Sequence, residues 1–255
     1  MYMKYSIAVV LPVVLVISGC ADKPRLPTET KSTIATVNKN NLSISLIEVK
    51  TINSELSNTN NSLNIVKKSD TAGMVGLTAV SFVSSLFVGG ETHGFSKEQL
   101  RGTDIAAVGN PTLRLFQPEL TAYIDKLTTE DKKGKVSVFI HPVDFKLIYD
   151  GLDNGDYQFN YRFSVSFGEG KESHYVSCDV HSLAKEEYIR HYDEWEKGNF
   201  ALTQALAKKT VSACMAGMNK PENIRKAEQA LNSSIEAAGA VIPQTPSVQP
   251  AAPVL

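Results

Sequence analysis

The sequence predicts an α+β fold, with an antiparallel meander of about three to five strands and helices packed on one face of it. Two observations support this prediction. Residues 156–167 alternate polar and apolar side chains throughout, and a β-strand sends successive side chains to opposite faces. After residue 182, apolar residues recur at helical spacing as far as residue 238. A sheet with one apolar face, followed by amphipathic helices that cover it, accounts for both patterns.

The alternating stretch is the longest strand that the sequence predicts. Its polar residues would form a wholly hydrophilic second face, because they take every other position. Aromatic and β-branched residues suit a half-buried pleated surface, so the apolar face is expected to be the core. The residues on that face are Tyr157, Phe159, Tyr161, Phe163, Val165 and Phe167.

The N-terminus predicts export. Lys4 precedes a short apolar stretch over residues 7–17, which is too short to span a bilayer as a helix. The stretch ends in Ile17-Ser18-Gly19-Cys20, which resembles the lipobox of bacterial lipoproteins. That resemblance implies that residues 1–19 are a signal peptide and that Cys20 carries the lipid, including palmitate. An ordinary secretory signal that ends near a cysteine is the alternative.

The residues after Cys20 bear on the location of the protein. In lipoproteins of enteric bacteria, Asp directly after the cysteine retains the protein at the inner membrane. Ala21 stands there in this chain and Asp22 follows it. The resemblance therefore implies a lipid anchor in the outer membrane, on the periplasmic side, with the inner membrane and the cell surface as alternatives. Residues 20–33 are polar and proline-containing, and are expected to be a lipidated tether.

Residues 34–241 are predicted to form one globular domain. Its first part contains two expected strands, at 42–49 and 63–67, separated by an asparagine-rich loop over 53–64. Residues 71–90 contain no charged side chain. This apolar segment is interpreted as a buried helix, a membrane-inserted segment or a subunit interface, and the sequence does not separate the three.

The middle of the domain alternates between helix and strand signals. A capping box predicts a short helix from Ser96, residues 103–115 lack a regular pattern, and a helix is expected to start at Pro118 and end near Leu127. Two alternating segments, 136–141 and 143–149, predict strands that Pro142 separates or bends. A tight turn over residues 168–171 then leads to a strand that contains Val176, Cys178 and Val180.

Three helices are predicted after the sheet. The first follows Ser182 and ends at Gly198, the second runs from Phe200 to about Met218, and the third begins at Pro221. Tyr188, Tyr192 and Trp195 share one helical face, which indicates core packing rather than a sugar-stacking platform. Residues 242–255 contain four prolines and no charge, so a disordered tail is expected there.

The cysteines and histidines predict a disulfide and no metal. Cys178 and Cys214 are expected to pair because an exported chain folds in an oxidising compartment, and two buried free thiols are the alternative. His174, Cys178 and His181 lack a known zinc spacing. No metal and no cofactor are therefore expected.

No catalytic residue is predicted. Asp179, His181 and Ser182 are adjacent, but neighbours at a strand end do not face one another as a catalytic triad requires. The formal charge of −1 gives no basic face for nucleic acid. We expect a non-enzymatic envelope lipoprotein that binds or scaffolds an envelope component, with the membrane, envelope proteins and peptidoglycan as candidate partners. The alternative is a hydrolase or ligand-binding lipoprotein that acts on cell-wall or lipid material.

Overall fold

The computed structural model describes residues 28–52, 61–70, 97, 100, 102–129, 133–151 and 155–239. The signal peptide, Cys20, the first part of the tether, residues 53–60 of the asparagine-rich loop, the apolar segment 71–90, the capping box apart from Lys97, and the tail lie outside these residues. The elements are, in chain order, β1 Thr28–Lys39, β2 Leu42–Ile52, β3 Ser62–Val66, β4 Thr103–Gly109, α1 Thr112–Lys126, β5 Gly134–Tyr149, β6 Asp156–Phe167, β7 His174–Asp179, α2 Lys185–Tyr188, β8 Ile189–His191, α3 Tyr192–Met218 and α4 Pro221–Gly239.

The centre of the sheet is the antiparallel pair β5–β6. The pairing runs from Val138 opposite Phe167 to Tyr149 opposite Tyr157. The strand predicted over residues 156–167 is confirmed with the same bounds. Strand β5 replaces the two strands that were expected around Pro142, because a bulge between Pro142 and Asp144 lets the pairing continue.

The remaining strands lie along the two outer sides of this pair. Beyond β5, strands β2 and β3 both run parallel to it, β2 beside its first half and β3 beside its second half. Strands β1 and β4 are antiparallel to β2 and β3 respectively. Beyond β6, strand β7 pairs with residues 162–167 and β8 with residues 156–158, both antiparallel.

The fold is therefore a mixed α and β structure with an eight-stranded mixed sheet. The prediction of an antiparallel meander of about three to five strands is wrong. Strand β2 pairs with β5 across a long stretch of sequence, and alternation of apolar residues is the same in parallel and antiparallel strands. The pattern could identify the strands, but it could not identify the neighbours of each strand.

The core lies between one face of the sheet, called here the core face, and helices α1, α3 and α4. Strand β6 contributes five residues with no exposed surface, at positions 159, 161, 163, 165 and 167. Ring centroids of Phe116 in α1 and Phe163 are 4.8 Å apart, and those of Trp195 in α3 and Phe159 are 5.9 Å apart. Each such aromatic side chain contributes about 2 kcal/mol or more through burial.

Two boundaries at the N-terminal side differ from the prediction. Strand β1 starts at Thr28, inside the stretch expected to be tether up to residue 33. Residues 103–109 form strand β4, whereas residues 103–115 were expected to be irregular. Both are edge strands that pair on one side with β2 or β3, and a pleated edge in contact with water needs only weak apolar alternation.

Helix α1 begins earlier than predicted. It starts at Thr112 and contains Pro118, which was expected to be its first residue. Asn110 stabilises the N-terminus of the helix, because its Oδ1 accepts hydrogen bonds from the backbone N–H of Thr112 at 3.0 Å and from the Thr112 hydroxyl at 2.7 Å. Pro118 is exposed, so the carbonyl that loses its helical partner can be solvated.

The first of the three predicted C-terminal helices is interrupted. Residues 185–188 form the short helix α2, and residues 189–191 form β8 before α3 begins at Tyr192. Strand β6 is longer than β7, so backbone groups of residues 156–158 need another partner, and β8 supplies it. Helix α4 confirms the helix predicted from Pro221.

Candidate functional site: the polar face of the sheet

The face of the sheet opposite the core face is called here the polar face. Helices α1, α3 and α4 all pack on the core face, and no long helix of the described chain packs on the polar face. Strand β6 places its polar residues there because they alternate with its buried aromatic residues. These residues are Gln158, Asn160, Arg162, Ser164 and Ser166.

A chain of ionic contacts crosses this face between β5 and β6. The Lys146 ammonium lies 3.3 Å from Asp144 Oδ1, and Arg162 Nη2 donates to Asp144 Oδ2 at 2.8 Å. Asp144 and Lys146 are each only 6 % exposed. Removal of one partner of such a buried pair leaves an uncompensated charge, which costs about 3–5 kcal/mol. Arg162 extends from this pair into solvent, with 48 % of its side chain exposed.

The polar contacts continue onto β7 and the turn after it. Arg162 is in register with Asp179, and Asp179 Oδ1 lies 2.7 Å from His181 Nδ1. The other ring nitrogen of His181, Nε2, is 2.9 Å from Gln158 Nε2. Asn160 occupies the middle of this arrangement, opposite Lys146 on β5. Strands β5 and β6 thus hold an ionic cluster at Lys146, Asp144 and Arg162, and a separate polar network links Gln158, His181 and Asp179.

The network includes two members of the adjacent set Asp179, His181 and Ser182. Asp179 and His181 form a pair, but the Ser182 hydroxyl donates to the Asp179 backbone carbonyl at 2.8 Å. Nucleophilic catalysis would need this hydroxyl hydrogen-bonded to His181. The three residues therefore form a local turn with a histidine–carboxylate pair, and not a triad.

A shallow pocket of about 290 Å³, called here the sheet pocket, opens on the polar face near the β6–β7 turn. The Lys31 ammonium lies 4.9 Å from the centroid of the Phe139 ring. Burial lowers the pKa of His141 below its ordinary value of 6.5, opposed by the charge of Glu29 and assisted by that of Lys31. The imidazole is therefore neutral at pH 7. The lining residues are Glu29, Lys31, Phe139, His141, Ser166, Gly168, Glu169, Gly170 and Ser173.

Tyr175 is an exposed aromatic side chain on the polar face. It lies on β7 in register with Ser166, and 60 % of its surface is exposed. Within the described part of the chain, it is the one large hydrophobic residue that is exposed. Aromatic and arginine side chains dominate the energetics of protein interfaces, and this face offers both at Tyr175 and Arg162.

The predicted disulfide is confirmed. Cys178 on β7 and Cys214 on α3 are bonded, with Cα atoms 5.3 Å apart. Cys178 is therefore unable to serve as a metal ligand, and His174 stacks on Phe167 at a centroid distance of 6.3 Å. Among the described residues, no group of three or more His, Cys, Asp or Glu side chains could hold a metal ion.

Tyr188, Tyr192 and Trp195 pack in or against the core, as predicted, but they do not share one helical face, because β8 separates Tyr188 in α2 from the other two in α3. Trp195 is completely buried, and its Nε1 donates to the backbone carbonyls of Tyr157 and Arg190 at 3.0 and 3.1 Å. The Tyr192 ring lies 4.8 Å from that of Tyr157. Cys20, the remaining predicted site residue, lies outside the described residues.

Comparisons of the chain with protein-family models, with curated proteins and with solved structures gave no match. In the described part of the chain, no helix has both the length and the apolar character that crossing a membrane requires. The chemistry of the polar face and the N-terminal sequence are therefore the features that bear on function.

Proposed function

We propose that this protein is a non-enzymatic lipoprotein of the bacterial envelope, anchored in the outer membrane through Cys20, that binds another envelope protein. The observation that carries the proposal is the polar face, where an ionic cluster at Asp144, Lys146 and Arg162 lies on the same side of the sheet as the exposed Tyr175. Groups held by strands are pre-organised for recognition, so little conformational entropy is lost when a partner binds.

The charges on this face favour a protein as the partner. Cationic groups, such as Lys31 and Arg162, alternate with anionic ones, such as Glu29, Asp144 and Asp179. A polyanion would be repelled by the carboxylates, whereas a protein surface can present charges of both signs in complementary positions. We therefore commit to a folded periplasmic protein, and not to peptidoglycan or lipid, as the ligand of the polar face.

The face is tested by photo-crosslinking in intact cells, with Tyr175 replaced by benzoylphenylalanine. We expect a discrete crosslinked protein that disappears in an Arg162→Gln background and persists with Arg225→Gln, an exposed arginine on α4. The fold should tolerate Arg162→Gln because Asp144 keeps Lys146 as its partner. Benzoylphenylalanine at Glu119, exposed on α1, is the positional control. The same crosslink at Glu119, or crosslinks to peptidoglycan alone, would refute the assignment.

The anchor is tested separately. Cys20→Ala should leave a longer, unprocessed precursor and abolish palmitate labelling, because the acylated thiol is then missing. Labelling that survives the substitution would exclude lipidation at this residue and would leave the crosslinking result at Tyr175 to be judged independently.

The second candidate function is a ligand-binding or hydrolytic lipoprotein that acts on cell-wall or lipid material. The sheet pocket favours it, because His141 is neutral there and lies beside Phe139 and Ser166. His141→Gln distinguishes the two candidates. It should leave crosslinking at Tyr175 unchanged if the protein acts by docking, and it should abolish activity if the sheet pocket is catalytic.

A further inference from the structure

A second pocket, called here the loop pocket, lies between the β4–α1 connection and helix α3. Its volume is about 570 Å³, within the size range of small-molecule sites. One wall is the chain from Ala107 to Pro111, and the other is the region of α3 around Asn199. The loop pocket shares no lining residue with the sheet pocket.

The α3 wall is built from an unusual backbone. Gly198, Asn199 and Phe200 have consecutive left-handed φ values of 59°, 55° and 61°. For a bulky L-residue such as Phe200 this conformation costs about 1–2 kcal/mol. Phe200 is nevertheless buried at 6 % exposure, and Thr203 Oγ1 donates to its carbonyl at 2.8 Å. Strain that is held in place by buried contacts in this way is a common feature of binding sites.

Gln204 joins the two walls and hydrogen-bonds the charged side chain of Arg114. Its Nε2 donates to the Gly109 carbonyl at 3.0 Å, and its Oε1 accepts from Arg114 Nη2 at 3.1 Å. A guanidinium group has five N–H donors, so Arg114 keeps further donors for a ligand. Within the described part of the chain, no carboxylate lies within 4.0 Å of it.

The charge of the lining determines the class of ligand. Among the described residues that line the loop pocket, Arg114 is the only charged one, and the others are neutral polar or apolar. A planar carboxylate matches both the single positive charge and the fork geometry of arginine. We propose that the loop pocket binds a small carboxylate joined to an apolar group, with Arg114 pairing with the carboxylate and the exposed Ala107 and Ala201 contacting the apolar part.

The test is an NMR titration of the ¹⁵N-labelled protein at pH 7 with N-acetylalanine as the probe. We expect shifts of the Asn199 and Ala201 amide signals, and affinity at least about tenfold above that for N-acetylalaninamide, which lacks the charge. Arg114→Gln should remove this preference, whereas Arg225→Gln, a charge-matched control on α4, should retain it. Ala201→Leu, at an exposed position, should block the pocket by volume.

Three results would overturn the proposal as a whole, and a fourth would overturn the choice of a carboxylate as the ligand. The first is equal affinity for N-acetylalanine and N-acetylalaninamide. The second is loss of the preference for the acid in both Arg114→Gln and Arg225→Gln. The third is the absence of any change in the amide signals of residues that line the loop pocket. Tighter binding of inorganic phosphate than of N-acetylalanine would also overturn the carboxylate assignment. None of these outcomes depends on the polar face, since Arg114 and Arg162 belong to different sites.

Discussion

The hydroxyl of Tyr161 connects the central strand to the start of helix α1. It lies 2.9 Å from Thr112 Oγ1, and Thr112 Oγ1 in turn donates to Asn110 Oδ1 at 2.7 Å. Thr112 uses its hydrogen for Asn110, so Tyr161 is the donor in the buried bond. Burial raises the pKa of Tyr161 far above its usual value. The phenol therefore stays protonated.

Tyr161→Phe is expected to lower the free energy of unfolding by about 1 kcal/mol, the usual net value of one buried hydrogen bond. Thr112 keeps its bond to Asn110, so no further buried group is orphaned. Tyr175→Phe is the control, because that residue is 60 % exposed, and it should change stability by less than about 0.5 kcal/mol. Urea denaturation of both variants measures the difference. Equal midpoints would show that the Tyr161 hydroxyl contributes nothing.

At the scale of elements, helix α3 depends on its break. The sequence predicts that one helix ends at Gly198 and that another follows, and the non-helical φ and ψ values at residues 197–200 confirm a break there. The break turns the chain between Trp195, which packs on β6, and the longer segment that carries Cys214 to β7.

Replacement of two glycines in α3 by alanine should therefore change the stability of the protein in opposite directions. Gly198→Ala introduces a side chain at φ +59° and should destabilise the protein by about 1 kcal/mol. Gly217 is helical, and an added Cβ would meet nothing within 4 Å. Gly217→Ala should stabilise by about 0.5–1 kcal/mol through helix propensity. Thermal unfolding of the two variants measures both effects, and destabilisation by both would contradict the assigned backbone of α3.

At the scale of the whole molecule, the disulfide ties the sheet to its helical cover. It joins β7 to α3 across a sequence separation of 36 residues. Helix α3 contacts the sheet through Trp195 at one end and through Cys214 near the other. The bond therefore fixes the second half of α3 over the core face.

Loss of this disulfide should lower the free energy of unfolding substantially. In the chain-entropy model, closure of a loop of this length stabilises the fold by about 4 kcal/mol. We expect treatment of the oxidised protein with dithiothreitol to lower its free energy of unfolding by about that amount, which urea denaturation measures. The double variant Cys178→Ala, Cys214→Ala should be less stable from the start and should not respond to the reductant. A wild-type midpoint that dithiothreitol leaves unchanged would contradict the prediction.

Local patterns predict part of the candidate site. The alternation over residues 156–167 is enough to place Arg162 and Gln158 on a hydrophilic face. Asp144 and Lys146 are not predicted as a pair, because the apolar alternation of β5 dominates that stretch and a bulge shifts the register after Pro142. Their spacing of two residues on one strand is the signal that could have found them. The loop pocket has no sequence signal beyond the glycine at its wall.

The sequence by itself determined the strand β6 with its two chemically different faces, the helix from Pro221 and the break at Gly198, and it favoured the pairing of Cys178 with Cys214 over two free thiols. These depend on periodicities of a few residues, on special backbone conformations and on the oxidation that is expected of thiols in an exported chain, all of which are local or compositional. Tertiary structure decided that β2 and β3 lie parallel to β5, that β8 completes the edge of β6, and that Arg114 meets α3. Such choices depend on which distant backbone groups can satisfy one another and on how the helices fill the core face, and no short stretch of sequence carries that information.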